Sequence, residues 1–226
     1  MSVILNIDTA LDIACISIAK DGVVINSVSN TEQKDHGGFL QPAIKALLND
    51  ATISTGDLDA VAIAAGPGSY TGLRVGMASA KGLCYALKKP LITIGTLEIL
   101  TFGAIQQYNN TAISSSSLLC PMIDARRMEV FTALYDFSLK PVLEPCAMVL
   151  NENSFAKSLL KNQVLFFGTG SAKWELICRH KNALFIPYSS NPLAMSNLAH
   201  EKFRDNNFAD LAYCEPLYLK EFFGAI

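Results

Sequence analysis

The sequence contains only three histidines, and none of them lies in a pattern typical of a metal or catalytic site. His36, His180 and His200 include no pair four residues apart, and no cysteine–histidine cluster has the spacing of a zinc site. Paired carboxylates with a neighbouring base and a convincing catalytic triad are also missing. We interpret the histidines as ordinary surface or hydrogen-bonded residues, with His36 the most open to another role because two glycines follow it before a helix. No metal, cofactor or catalytic residue is predicted.

Disulfide and membrane signals are missing as well. No two of the six cysteines are spaced as CxxC, and nearly all lie in apolar runs, so we interpret them as reduced, buried, small hydrophobic residues. No uncharged apolar run is long enough to cross a membrane, and the N-terminus reaches Asp8 too soon for a signal peptide. We expect a cytoplasmic protein that does not bind membranes.

A basic excess is lacking too, since 18 Lys and Arg stand against 20 Asp and Glu. A protein that grips nucleic acid alone normally carries excess positive charge. Any nucleic-acid role therefore requires a partner that supplies the positive surface. Half of the 226 residues are hydrophobic, which is enough for a sizeable core.

The order of predicted elements repeats once along the chain. Residues 1–107 form a predicted first lobe, 108–117 a serine-rich linker, and 118–226 a smaller second lobe whose C-terminal segment could pack back on the first. The predicted strands are 3–7, 13–19, 23–29, 60–65 and 91–95, then 118–124, 129–136, 142–150, 164–167 and 184–187. The predicted helices are 39–49, 73–88, 97–106, 154–160 and 172–179.

Two short matches support an internal duplication. Ile-Asp ends the opening strand of each half, at Asp8 and at Asp124, and a Gly-x-Gly-Ser turn follows a later strand at 66–69 and again at 168–171. Duplicated βββαβαβα units with these features predict the actin-like ATPase fold (the ASKHA or ribonuclease H-like class). In that fold an aspartate and glycine turns approach phosphate. We assign Asp8, Thr9, Gly66 and Gly68 to vestigial nucleotide-site positions; the alternative is that the glycines simply form sharp turns.

The stretch GPGSYTG at 66–72 excludes three other motifs. Thr71 stands where a dinucleotide fingerprint needs glycine, no Gly-Lys-Ser/Thr follows as in a Walker loop, and the glycines do not flank Ser69 as in a nucleophile elbow. Ser69 or Thr71 is instead the predicted N-cap of the next helix.

Residues 66–98, GPGSYTGLRVGMASAKGLCYALKKPLITIGTLE, closely resemble the signature of the TsaB (YeaZ) family. So do NIDTA at 6–10, DHGGFLQPAIKALL at 35–48, IDARRMEVF at 123–131 and EPLYLK at 215–220, although the resemblance is patchy from about 135 to 210. The resemblance implies an actin-like fold with a reduced second lobe. It also implies a heterodimer with the paralogue TsaD, which transfers a threonylcarbamoyl group to an adenosine next to the tRNA anticodon. The small ATPase TsaE would join the pair, tRNA would bind only within the complex, and the chain alone would form a homodimer.

One departure from the paralogue's pattern bears on catalysis. TsaD carries His-Leu-Glu-Gly-His, whose two histidines bind its metal, and the matching stretch here is Thr96-Leu97-Glu98-Ile99-Leu100. Leucine has no lone pair for a metal, and threonine alone is a poor ligand. The chain is therefore predicted to be a non-catalytic paralogue. The alternatives are a phosphotransferase on the same fold, or an M22-type metallopeptidase as the older glycoprotease label of the family suggests.

Two predicted helices carry more apolar surface than packing on one sheet needs. On helix 39–49 the apolar arc covers about 200°, against roughly 100° for a helix that packs on one sheet. Small residues four apart on the next helix would let a second backbone come close. Because the resemblance implies pairing through these helices in a four-helix bundle, we predict a partner interface formed by Phe39, Leu40, Ala43, Ile44, Leu47, Gly72, Arg74, Gly76 and Ala80. The alternative is that all this surface is covered within the monomer.

Overall fold

The structure is a computed structural model that describes residues 1–30, 36–108, 114, 116–188 and 191–220, with only the backbone described at His36. The elements of its first half are β1 (Val3–Asp8), β2 (Ala14–Lys20), β3 (Val23–Asn30), α1 (His36–Asp50), a 3-10 turn (Thr55–Asp57), β4 (Ala60–Ala64), α2 (Tyr70–Leu87), β5 (Leu91–Ile94) and α3 (Thr96–Tyr108). Those that follow are β6 (Leu118–Asp124), β7 (Glu129–Tyr135), β8 (Pro141–Val149), α4 (Ala156–Leu159), β9 (Val164–Phe167), α5 (Ser171–Ile177), β10 (Ala183–Phe185) and α6 (Pro192–Arg204).

The first of two compact units comprises Met1–Ile99 and Asn191–Leu217. Its sheet has the order β3-β2-β1-β4-β5, with β2 antiparallel to both β1 and β3, while β4 is parallel to both β1 and β5. β4 is buried along its whole length, as expected for a central parallel strand covered on both faces. Leu5 and Ile7 of β1 join the core beneath α1 and α2, whereas the alternate residue Asn6 donates to Ser196 of α6 at 3.1 Å. The helices α1 and α2 therefore cover one face of this sheet, and α6 covers the other.

The second unit consists of the described parts of Leu100–Ser190 and Tyr218–Ile226. Its sheet has the order β8-β7-β6-β9-β10, the same order as in the first unit. Phe155, Phe166 and Trp174 form an aromatic cluster in its core, with ring centroids 5.3 to 6.0 Å apart. The duplicated α/β fold predicted from the sequence is confirmed.

The helix α6 is the element that the sequence did not predict. The sequence had assigned its residues to the second lobe, with the option of packing back, but Asn191–Leu217 belongs to the first unit. Asn191 accepts from the backbone N–H of Leu193 at 2.9 Å, and Pro192 follows it. An N-cap asparagine with proline at the first helical position was the available signal. The predicted linker at 108–117 lies mostly outside the described residues, so its boundaries stay a prediction.

No α-helix in the described part of the chain is long and apolar enough to cross a bilayer.

The cysteines are all free thiols, of which Cys84 and Cys120 are buried and the other four half-buried. Burial raises the pKa of Cys84 to about 11 and also raises the pKa of Cys120. Since the thiolate is the reactive form, we expect Cys84 to react with iodoacetamide at pH 8 at least about a hundredfold more slowly than it does in the unfolded chain. Mass spectrometry of native and urea-unfolded samples measures this, and equal labelling rates would show that the thiol is not buried.

Candidate functional site

The predicted nucleotide-site residues of the first unit come together at the carboxyl end of β1. The Asp8 carboxylate accepts a hydrogen bond from the backbone N–H of Ala10 at 3.0 Å, and the Thr9 hydroxyl donates to the carbonyl of Gly72 at 2.7 Å. The backbone N–H of Ser69 donates to the carbonyl of Ala10 at 2.7 Å. The loop after β1 is therefore tied directly to the first turn of α2.

The glycine turn before α2 packs tightly against this loop. A Cβ added at Gly68 would overlap the carbonyl oxygen of Ala10, so the close approach of the two backbones requires glycine there. Ser69 is the N-cap of α2, because its hydroxyl accepts from the backbone N–H of Gly72 at 3.3 Å; of the two predicted caps, Ser69 is the correct one. The N–H groups of Ser69 and Gly72, which could otherwise face an anion, are thus used within the chain.

The second unit repeats this arrangement. The Asp124 carboxylate accepts from the backbone N–H of Arg126 at 2.6 Å, two residues on, as Asp8 does from Ala10. Gly170, which matches Gly68 in the duplicated turn, donates its N–H to the carbonyl of Met122 at 2.9 Å, so this glycine turn also lies against the opening strand of its unit. Lys173 lies 2.7 Å from the Asp124 carboxylate. Partial burial opposes ionisation of Asp124, but the hydrogen bonds from Lys173 and the Arg126 N–H outweigh it and lower its pKa.

The two positions predicted to match the histidine pair of the paralogue lie in α3. Thr96 and Leu100 are both buried, and the backbone N–H of Thr96 donates to the carbonyl of Gly66 at 2.8 Å. Glu98, between them, lies 3.7 Å from Lys202 of α6. Within the ranges that the structure describes, no three His, Cys, Asp or Glu side chains converge as a metal site would require.

Known proteins share both the sequence pattern and this architecture. Residues 23–214 match the family model of TsaD, tRNA N6-adenosine threonylcarbamoyltransferase. A tRNA threonylcarbamoyladenosine biosynthesis protein TsaB from Escherichia coli is 27% identical over 96% of this chain and 94% of its own length. The TsaB of Bacillus subtilis is 34% identical over 59% of this chain, a match that spans only 55% of that protein. The chain belongs to the TsaD family, among its TsaB/YeaZ members.

Solved structures agree on the fold. A Pseudomonas aeruginosa protein described as similar to peptidase YeaZ superposes with a TM-score of 0.81 at 22% identity, over 97% of this chain and all of that one. A polyphosphate/ATP-glucomannokinase from Arthrobacter superposes with a TM-score of 0.51 at 12% identity, over 91% of this chain and all of that one. The predicted actin-like fold is confirmed.

Most residues of the predicted partner interface are buried inside the first unit. The buried members are Leu40, Ala43, Ile44, Leu47, Gly72, Gly76 and Ala80. The apolar arc of α1 is wide because that helix packs against β2, β3 and α2. Both the sheet and a neighbouring helix therefore cover it within the unit. The alternative that this surface is covered internally is therefore correct for these seven residues. Phe39 is half-buried, and Arg74 is exposed and lies over the ring of Tyr70.

The inner ridge of α2, formed by Gly72, Gly76 and Ala80, faces the sheet rather than a partner. A Cβ added at Gly76 would overlap the Thr9 hydroxyl and lie 2.9 Å from Cδ1 of Ile63. These small residues let α2 approach its own sheet closely, so they provide no evidence for a partner helix.

A second row of small residues lies on the opposite side of α2. This outer ridge consists of Ala78, Gly82 and Ala86, all exposed, and a Cβ at Gly82 would meet no atom of the described residues within 4 Å. The two ridges differ by two residues, which is a rotation of about 200° around the helix. Tyr85, beside the outer ridge, is 81% exposed. Spacing alone could have revealed this second ridge.

Three basic residues, Arg74, Lys81 and Lys88, recur every seven residues along α2 and its C-cap. The Lys81 ammonium donates to the carbonyls of Ala212 and Cys214, at 3.3 and 3.1 Å. Lys81 therefore fastens the C-terminal part of the first unit to α2.

Proposed function

We propose that the chain is a non-catalytic scaffold required for making threonylcarbamoyladenosine on tRNA, and that it acts by forming a heterodimer with TsaD. The observation that carries the proposal is the combination of a TsaD family match over 23–214 with buried Thr96 and Leu100 at the positions of the paralogue's metal ligands. A buried leucine side chain cannot coordinate a cation. The chemistry would then belong to TsaD, while this chain supports it.

The outer face of α2 is the proposed contact with TsaD. Its ridge of Ala78, Gly82 and Ala86 has the small side chains that a closely packed helix needs, and Tyr85 offers a large exposed ring. Glycine inside a helix costs about 1 kcal/mol relative to alanine. No described residue of the first unit requires glycine at Gly82, which supports a requirement imposed by a partner. The same face would form the homodimer when TsaD is absent.

The proposal for the remaining partners rests on the net charge and on what the family resemblance implies. A net charge of −2 disfavours tight tRNA binding by the chain alone, so tRNA would bind to the assembled complex, to which TsaE would be recruited. The phosphotransferase and metallopeptidase alternatives receive less support. The N–H groups of Ser69 and Gly72 are already hydrogen-bonded within the chain, and the peptidase would need the missing histidine pair.

Reconstitution tests the scaffold role. We expect TsaD and TsaE from the same organism, supplied with tRNA and an activated threonylcarbamoyl donor, to form modified tRNA at a substantial rate only when this chain is added, because TsaD alone would lack its productive arrangement. The chain by itself should neither modify tRNA nor hydrolyse ATP at an enzymatic rate. Mass spectrometry of the tRNA nucleosides measures the product. Equal modification with and without the chain would refute the scaffold role, and co-purification with TsaD would test the heterodimer separately.

A further inference from the structure

The hairpin between β6 and β7 carries two arginines in an unfavourable backbone conformation. Arg126 and Arg127 have φ angles of 68° and 48°, in the left-handed region that glycine, asparagine and aspartate favour. Each such residue costs roughly 1–2 kcal/mol in that region. Both side chains are exposed at the tip of the loop, so packing does not explain why arginine occupies these positions.

The acidic groups of the same hairpin are already paired with lysines. Asp124 lies 2.7 Å from Lys173, and Glu129 forms an ion pair with Lys220. Among the described residues, neither Arg126 nor Arg127 forms an ion pair or a side-chain hydrogen bond. The tip therefore presents two guanidinium groups that the hairpin's own carboxylates do not neutralise, on a chain whose net charge is −2.

We propose that Arg126 and Arg127 bind backbone phosphates of the tRNA, an inference that rests on the proposed function. Guanidinium groups bind phosphate through paired, charge-assisted hydrogen bonds, and most polar contacts of proteins with nucleic acids go to phosphate and sugar. An exposed turn at the end of two sheet strands can contact such a backbone without reading its sequence. The hairpin would then add its contacts to those of the partner subunits.

The test replaces both arginines with residues suited to the turn, in the variant Arg126→Asn/Arg127→Gly. The melting temperature should stay equal to that of the parent or rise, because the left-handed cost is relieved. Binding of an unmodified tRNA transcript by the complex with TsaD and TsaE should weaken at least about tenfold. The slope of log K against log salt should fall by about 1.5, since two phosphate contacts are lost. The control Lys157→Asn/Lys161→Asn removes the same charge from two exposed lysines of the same unit and should change tRNA affinity little.

Several outcomes would overturn the proposal. One is unchanged tRNA affinity and slope, and a second is an equal loss in the lysine control. A third is weakened assembly with TsaD or TsaE while the assembled complex binds tRNA normally, which would assign the arginines to a protein contact. Weaker binding of an ATP analogue alone would assign them to a nucleotide and also contradict it. If the parent chain forms no complex, the proposed function fails separately. Titration of the isolated chain with tRNA at low salt then still decides whether the arginines bind it.

Discussion

Replacing Gly76 with leucine is expected to unfold or severely destabilise the first unit. The added Cβ alone would overlap the Thr9 hydroxyl and press on Ile63, and three further carbons would have no space beneath α2. Overpacking a core typically costs 1–3 kcal/mol, and we expect at least about 3 kcal/mol here because the hydrogen bond from Thr9 to Gly72 would also be strained. For a chain of this size that corresponds to a fall in melting temperature of roughly 6–12 °C or more.

Gly82→Leu is the matched control, since it makes the same change six residues further along the same helix. In the part of the chain that the structure describes, no atom lies within 4 Å of its Cβ, and leucine is a better helix former than glycine by up to about 0.8 kcal/mol. Thermal melting of the monomeric forms should therefore show a large loss for Gly76→Leu and no loss for Gly82→Leu. If Gly76→Leu melted like the parent, α2 would not pack against the sheet as closely as the structure has it.

Gly76 and Gly82 also show why the sequence alone does not identify the face of α2 that packs on its own sheet. Gly72, Gly76 and Ala80 have the same four-residue spacing as Ala78, Gly82 and Ala86. Periodicity identifies the faces of a helix, but it does not say which face meets the helix's own sheet when both carry small residues. Apart from α6, the strands and helices of the first unit could be predicted. The signals were continuous apolar runs next to glycine turns, as in β4, and helical apolar spacing, as in α2. Assigning the inner face required the contacts of Gly76 with Thr9 and Ile63.

The helix α6 was missed for a related reason. It buries a polar group on the sheet, where Ser196 accepts from Asn6 at 3.1 Å and lies 3.3 Å from the Ser17 hydroxyl. A polar contact of this kind weakens the apolar stripe on which helix prediction depends. The hydrogen bonds from Lys81 to the carbonyls of Ala212 and Cys214 join residues more than 130 positions apart, so no local sequence pattern indicates them. The duplicated turn aspartates Asp8 and Asp124, by contrast, could be found from sequence because each immediately ends a strand.

Gly82→Leu has a second expected effect, which is loss of binding to TsaD. If the outer ridge of Ala78, Gly82 and Ala86 packs against a partner helix, leucine would hold the two backbones apart. A misfit of about 1–3 kcal/mol corresponds to roughly a tenfold to hundredfold loss of affinity. Tyr85→Ala should act in the same direction, because it removes a large exposed ring from the same face. Isothermal titration or co-purification with TsaD from the same organism measures both effects.

Gly82→Leu is informative because it is expected to leave the folded monomer at least as stable as the parent while it weakens binding to TsaD. A destabilised monomer could lose partner binding for trivial reasons, whereas a variant that melts no lower than the parent can lose it only through the surface that was changed. Lys157→Asn, an exposed substitution on the second unit, should leave both the melt and TsaD binding unchanged. Normal TsaD binding by both Gly82→Leu and Tyr85→Ala would show that the partner interface is not on the outer face of α2. The open space around Gly82 would then have no explanation in a helix–helix contact, although the family assignment, which rests on residues 23–214 as a whole, would remain.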